Sequence, residues 1–362
     1  MASTITSGSA EQNDKVKELK QFYETKTGVK GISDSGNDSI PSFFHYPPEA
    51  VAKIKPTSLP EIPVIDLAGF DSPDSRPAIV DKIRTACTTF GFFQIINHGV
   101  PLELFDRTLA AVKAFFELPA EGKASFYREK TERVSLGYNL DMNATKTANW
   151  RDTLQLLLGP TPLDPNEIPE LCRNELTQWN RSVGRVGEVL SGLMSEGLGL
   201  SAGRLRELSM KETVTMAHYY PYCPQADLTV GFTPHTDLGG FTVVLLKKDS
   251  EGLQFKYEDG WVDLKPVPGG LIVNIGDFGQ IVTNKEYKSI VHRVLANSYR
   301  EARISIATFF NPGAGENTYG PLRELTSTEK PPLYRNFTWN EYVGSFYTRE
   351  LSIDSMTSYF KL

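Results

Sequence analysis

The chain has 362 residues, 40% of them hydrophobic and 23% charged, an ordinary balance for a water-soluble globular protein of one large or two smaller domains. Its formal net charge of −6 argues against a general nucleic-acid binder, which needs a basic face to release counterions. The three cysteines, Cys87, Cys172 and Cys223, have neither zinc-ribbon nor redox spacing and suit a reducing compartment.

In chain order, residues 1–20 read as a disordered N-terminus, small, polar and without periodicity. They lack the apolar stretch of a secretory signal, and Ala2 stands where myristoylation requires glycine. Residues 21–205 read as an α/β region. The stretch "DKVKELKQFYETKTGVKGISDSG" predicts a short helix ending near Gly28, and "SIPSFFHYPPEA" a proline-punctuated extended link. "EIPVIDLAGF" predicts a short buried strand, with Val64, Ile65 and Leu67 apolar around Asp66. "RPAIVDKIRTACTTFG" is helical by the spacing of Ile79, Ile83 and Ala86, and "FFQIINHGVP" follows as a buried strand. Two further helices are predicted, one from Leu102 to the region of Pro119 and one with Leu190, Leu193 and Met194 facing inward.

Residues 206–315 change character. Strand-like runs ("TVTMAHYY", "FTVVLLKK", "GLQFKYEDGWVDLKPV", "GGLIVNIGD", "VHRVLA", "ARISIATFFN") alternate with turn signals at short spacing, which implies an antiparallel double-sheet roll or barrel. Residues 316–362 form a helical tail, and the whole reads as one compact catalytic unit. No apolar run approaches the ~20 residues of a membrane span, and the C-terminal "FKL" resembles a peroxisomal tripeptide only weakly, so a cytoplasmic location is expected.

The chemistry concentrates in that roll. In "TPHTDLGGF", His235 and Asp237 stand two apart, a spacing that on a strand aims both side chains at one point. The best third ligand is His292, a lone polar residue inside the apolar pattern "IVHRV". Two imidazoles and one carboxylate on one side of a metal leave the other side open, which suits non-haem Fe(II) rather than Mg or Ca, or a four-ligand structural zinc. Eleven residues on, Arg303 and Ser305 share a strand face among apolar neighbours. A buried guanidinium must be paired, either with a protein carboxylate or with the carboxylate of a ligand. Tyr220, in the proline-rich "AHYYPYCPQADLTVG", is a further donor or a packing residue.

"HTDLGG", "VHRV" and "RISIATFF", with "IPVIDL", "FGFFQIINHGVP" and "HYYPYCPQADLTVGFTPHTD" upstream, resemble the plant 2-oxoglutarate- and Fe(II)-dependent dioxygenases over roughly residues 20–350. "LKQFYETKTGVKGISDSGNDSIPSFFHYP" is similar to the subgroup of 1-aminocyclopropane-1-carboxylate oxidase homologues, which includes deacetoxyvindoline 4-hydroxylase. The resemblance implies a mainly β core, a double-stranded β-helix (jelly roll) flanked by helices. It implies that His235, Asp237 and His292 bind iron and that Arg303 and Ser305, assisted by Tyr220, hold the distal carboxylate of 2-oxoglutarate. O2 is the co-substrate, ascorbate the expected reductant, and succinate and CO2 the coproducts. His218 stands where many relatives have asparagine and is not a metal ligand.

For the substrate, Phe309 lies on the Arg303 face by alternation. Trp150 and Asp152 match a family pattern at the pocket rim, with Trp150 expected mainly as scaffold. Phe346 and Tyr347 belong to a C-terminal helix over the mouth, and Asn139 and Asn143 are further cavity candidates. The expectation is a monomer that hydroxylates, demethylates or desaturates an aromatic or alkaloid-like plant metabolite. The alternatives are an ascorbate-dependent oxidase that omits 2-oxoglutarate, a zinc hydrolase and a ligand-binding roll.

Overall fold

The computed structural model describes residues 6–54, 61–128, 132–137, 147–313, 317–348 and 356–362. Its strands are β1 (Val64–Asp66), β2 (Phe92–Ile96), β3 (Val134–Gly137), β4 (Asp152–Leu157), β5 (Glu212–Tyr220), β6 (Val230–His235), β7 (Phe241–Leu246), β8 (Leu253–Tyr257), β9 (Gly260–Asp263), β10 (Leu271–Ile275), β11 (His292–Leu295), β12 (Arg303–Asn311), β13 (Thr318–Tyr319) and β14 (Phe337–Thr338). They form an eight-stranded sheet in the order β1-β2-β10-β7-β12-β5-β4-β3 and a four-stranded sheet in the order β6-β11-β8-β9, with β13 and β14 paired apart. Phe92, Tyr220, Leu246 and Ile272 of the large sheet pack with Leu253, Phe255, Val262 and Val294 of the small one, so the two sheets face each other as a jelly roll.

The helices are α1 (Thr6–Thr25), α2 (Gly28–Asp34), α3 (Pro48–Val51), α4 (Arg76–Thr89), α5 (Leu102–Phe116), α6 (Ala120–Lys123), α7 (Glu170–Gly197), α8 (Arg204–Ser209), α9 (Asp277–Val282), α10 (Trp339–Thr348) and α11 (Met356–Tyr359). In α7, Cys172, Leu176, Trp179, Val183, Val186, Leu190 and Leu193 recur every three or four residues and are buried. That stripe and the matching one of α5 cover the outer face of the large sheet, where Ile304, Ile306 and Phe310 of β12 join the main core. Thr308, on the same side, accepts a hydrogen bond from Trp179 Nε1 at 3.2 Å. Period-two alternation therefore turns Arg303, Ser305, Ala307 and Phe309 toward the small sheet. Gly187 lets α7 close on β12, since a Cβ there would sit 2.5 Å from the Phe310 ring.

Two expectations are corrected. Helix α1 begins at Thr6, inside the stretch read as disordered. Leu19 and Phe22 pack with Phe43 and Phe44, and once that anchor holds, Ala10, Glu11 and Gln12 extend the helix at small cost. Within β1 only Ile65 is buried, and Val64 is exposed, because β1 is an edge strand with one face covered. Among the described residues no helix is long and apolar enough to cross a membrane.

Candidate metal and cosubstrate site

His235 is the last residue of β6, and His292, the first of β11, is its ladder partner. Asp237 lies two residues beyond the strand end, so strand alternation does not aim it; a backbone crossing does. The Asp277 amide donates to Asp237 O at 2.7 Å, and the Gly276 amide to Gly240 O at 3.1 Å. The two chains approach so closely that a Cβ on Gly276 would lie 2.3 Å from Gly239 O. The glycine pair after Asp237 serves a separate close approach: a Cβ on Gly239 would lie 2.1 Å from Asn311 Oδ1 and one on Gly240 2.6 Å from Ser209 Oγ.

Asp237 Oδ1 lies 3.5 Å from His292 Nε2 and 3.7 Å from His235 Nε2, and the three ligand atoms all fall within 4.8 Å of one another. Each imidazole has its other nitrogen engaged. His235 Nδ1 is 2.8 Å from Thr233 O, and His292 Nδ1 is 3.1 Å from Ile290 O. Carbonyl oxygens only accept, so both Nδ1 atoms carry a hydrogen, which leaves the two Nε2 atoms as the ones that can face a metal. The remaining carboxylate oxygen, Asp237 Oδ2, accepts from Thr242 Oγ1 at 2.6 Å and Asn274 Nδ2 at 2.7 Å, which leaves Oδ1 as the ligand atom. Burial, reinforced by His292, pushes the His235 imidazole down to about 3 and keeps it neutral. Burial would raise the Asp237 carboxyl, but the two imidazoles and Asn274 outweigh it and hold the group well below the usual carboxylate range.

Burial would lower the His292 imidazole, but Asp237 beside it outweighs burial and raises it, so a metal there takes the place of the Nε2 proton. Two imidazole nitrogens and one anionic oxygen, converging from one side, fit Fe(II) with an open face. A structural zinc site would want a fourth ligand. The cysteines do not supply it, since Cys87 and Cys172 are in the main core and Cys223 in the N-terminal cluster.

The residues expected to hold the cosubstrate lie on the facing sheet. Arg303 pairs with Tyr220 and Ser305 with His218 in the β12–β5 ladder. The Arg303 Cζ lies 4.8 Å from the Tyr220 ring centroid, and its Nε donates to Glu251 O at 2.8 Å. Its Nη1 is buried with no hydrogen-bond partner, and among the described residues no carboxylate pairs with it. A buried guanidinium with an orphaned donor fits the carboxylate of a ligand. His218 connects the two groups. Its ring is 6.1 Å from that of Tyr220 and 6.3 Å from that of Phe232, which stacks on His235 at 3.8 Å. Burial, with Arg151 and Arg303 nearby, holds His218 well below its ordinary value, and its Nδ1 lies 2.9 Å from Thr153 Oγ1. It stands outside the metal trio.

Of the substrate candidates, Phe309 is half-buried on the inner face, opposite Val214 and Thr242. Trp150 is fully buried edge-on to Phe44 in the N-terminal cluster, and its indole donates to Tyr222 O. Asp152 likewise holds structure, its oxygens accepting from the Val29 and Lys30 amides at the start of α2 at 2.7 and 2.9 Å. Asn139 and Asn143, and the side chains of Phe346 and Tyr347, lie outside the described residues. Sequence reasoning missed Thr242, Asn274, Arg151 and Phe232. Asn274 carried a signal, being a lone polar side chain in the apolar run "LIVNI".

Residues 211–312 match the sequence profile of the family described as 2OG-Fe(II) oxygenase superfamily, and residues 62–178 match that described as non-haem dioxygenase in morphine synthesis N-terminal. The chain is 41% identical over 360 residues to 1-aminocyclopropane-1-carboxylate oxidase homolog 3 of Arabidopsis thaliana, covering 96% of this chain and 97% of that relative. A homolog from Solanum lycopersicum is 40% identical, with 97% and 98% covered. Among solved structures, JOX2 in complex with 2OG, Fe, and JA is similar with a TM-score of 0.81 and 31% identity, over 92% of this chain and 97% of that one. The dioxygenase for auxin oxidation (DAO) in rice shares the fold, with a TM-score of 0.68 and 24% identity over 83% and 100%.

Proposed function

The chain belongs to the 2OG-Fe(II) oxygenase superfamily and is a 2-oxoglutarate-dependent dioxygenase, and from that premise we propose that it oxidises a small plant specialised metabolite with an aromatic or alkaloid-like skeleton. Hydroxylation is the favoured outcome, and demethylation or desaturation are variants of it. Fe(II) with 2-oxoglutarate and O2 supplies the oxidation, one oxygen atom going to the substrate and one to succinate as CO2 leaves.

The chain's own residues bind, orient and exclude water. His235, Asp237 and His292 hold the metal from one side, and Thr242 and Asn274 keep the Asp237 carboxylate in one orientation. Arg303, Ser305 and Tyr220 take the distal carboxylate of 2-oxoglutarate. The observation that carries this reading is the buried, unpartnered Nη1 of Arg303 on the sheet facing the metal trio. Ala307, Met216, Val214 and Phe309, which share the inner face with Arg303, supply an apolar wall suited to an aromatic acceptor. The reading takes the working unit to be a cytoplasmic monomer.

Incubation with Fe(II), ascorbate, 2-oxoglutarate and a plant extract, followed by mass spectrometry, tests it. The expected result is succinate formed together with a product that gains one oxygen or loses one methyl group. Turnover without 2-oxoglutarate points instead to the ascorbate-dependent oxidase, and turnover with zinc and without O2 to a hydrolase.

A further inference from the structure

Two side chains from outside the ligand set are stacked onto one of the ligands. The Arg151 Cζ lies 3.3 Å from the centroid of the Phe232 ring. Phe232 in turn stacks on His235, with centroids 3.8 Å and planes 25° apart. Two groups that close to one ring centre occupy its opposite faces, so the order is guanidinium, phenyl, imidazole. Arg151 is 1% exposed, which makes this one of the most deeply buried charges in the molecule.

The local sequence builds the stack. Residues three apart on a regular strand face opposite ways, yet Phe232 and His235 meet. The ladder explains it. His292 pairs with His235 and Val294 with Phe232, so β6 spends three residues where β11 spends two. The extra residue is a β-bulge at Thr233–Pro234, where proline has no amide to give to the ladder, and it swings both rings to one side. Arg151 arrives on the segment that leads into the other sheet. The Trp150 amide donates to Val230 O at 2.9 Å, and the Thr233 amide donates to Asn149 Oδ1 at 2.9 Å. Residues 149–151 thus run along β6, the edge strand of the small sheet, just before the chain enters the large sheet as β4.

We infer that Phe232 and Arg151 are positioning residues of the metal centre: Phe232 fixes the plane of the His235 ring, and Arg151 clamps Phe232 and biases the bound iron toward the ferrous state. The inference rests on the assignment of His235 as an iron ligand. A cation over a ring face is attracted by the ring quadrupole, more strongly when desolvated, so the clamp is strong where it is buried. A fixed positive charge one ring behind a ligand opposes the extra positive charge of Fe(III), and in a site shielded from water that opposition is little screened. Fe(II) is the state the reaction requires.

The test is Co(II) titration of the metal-free protein and its variants, together with the Fe(III)/Fe(II) midpoint potential measured without O2. Phe232→Leu raises the Co(II) Kd by about tenfold, the scale of a lost partner behind a metal ligand, and Phe232→Tyr restores it. Arg151→Gln shifts the Fe(III) to Fe(II) preference by about tenfold, read as a potential about 59 mV lower for a one-electron couple, and Arg151→Lys keeps the wild-type potential. A Phe232→Leu variant with unchanged Co(II) affinity, or Arg151→Gln and Arg151→Lys with the same potential, overturns the inference. If Arg151→Gln does not fold, Arg151→Met, which keeps the length of the side chain without its charge, takes its place in the potential measurement. His235→Ala is the control for the premise: if it still binds Co(II) as wild type does, the ligand assignment fails and not the stack.

Discussion

The two faces of β12 teach how one strand divides stability from chemistry. On the outer face Ile304, Ile306 and Phe310 lock into the helices, and even the polar Thr308 is satisfied by Trp179. On the inner face Arg303 keeps an unpartnered donor, and Phe309 stays half-buried outside every core cluster. Phe309 and Phe310 are neighbours in sequence and the same residue type, yet alternation assigns one to the cavity and one to the core.

Replacing a metal ligand breaks the comparison most severely. Asp237→Ala and His235→Ala abolish succinate formation while circular dichroism still reports a folded roll, since the ligands contribute nothing to the helix-facing core. Phe310→Ala comes next, costing about 3–5 kcal/mol in denaturant unfolding through the cavity it leaves, with 2-oxoglutarate affinity unchanged in the folded fraction. Phe309→Ala sharpens the contrast by costing only about 1 kcal/mol of stability while raising the substrate KM. Arg303→Ala is expected to weaken 2-oxoglutarate binding by about 1.5–3 kcal/mol, measured by calorimetry, from lost charge-assisted hydrogen bonds.

The smallest effect concerns Asp152. Burial pushes its carboxyl up to about 6, above its ordinary 3.8, against the pull of the Lys30 and Val29 amides. Between those two values the folded state holds the proton and the unfolded state does not, so this group's contribution falls as pH rises through about 6. Lowering the pH from about 7 to about 5 therefore stabilises the wild type relative to Asp152→Asn by about 1 kcal/mol. Parallel unfolding curves at the two pH values, with no change in that difference, would refute it.

Much of the roll was legible. The runs that became β5, β7, β8, β9, β10, β11 and β12 each show strand residues bounded by turn signals, and their order along the chain reads as a double sheet. β4 was not legible, because both its faces are buried and "DTLQLL" shows no clean alternation. β6 was obscured by Pro234, which argues against a strand until the bulge is seen. In the site, the H-x-D spacing pointed to the right residues for an incomplete reason. His235 is on a strand, but Asp237 is placed by the Gly239–Gly276 crossing, a contact between segments far apart in sequence. The Arg151–Phe232 stack was invisible for the same kind of reason, since it joins β6 to the segment before β4, far apart in sequence.

The most direct measurement is anaerobic titration of the metal-free protein with Fe(II), followed by titration with 2-oxoglutarate. The account predicts one Fe(II) per chain, 2-oxoglutarate binding that tightens when the metal is present, and loss of both in His235→Ala, Asp237→Ala and His292→Ala. Wild-type Fe(II) affinity in His292→Ala, or 2-oxoglutarate binding indifferent to the metal, would contradict it.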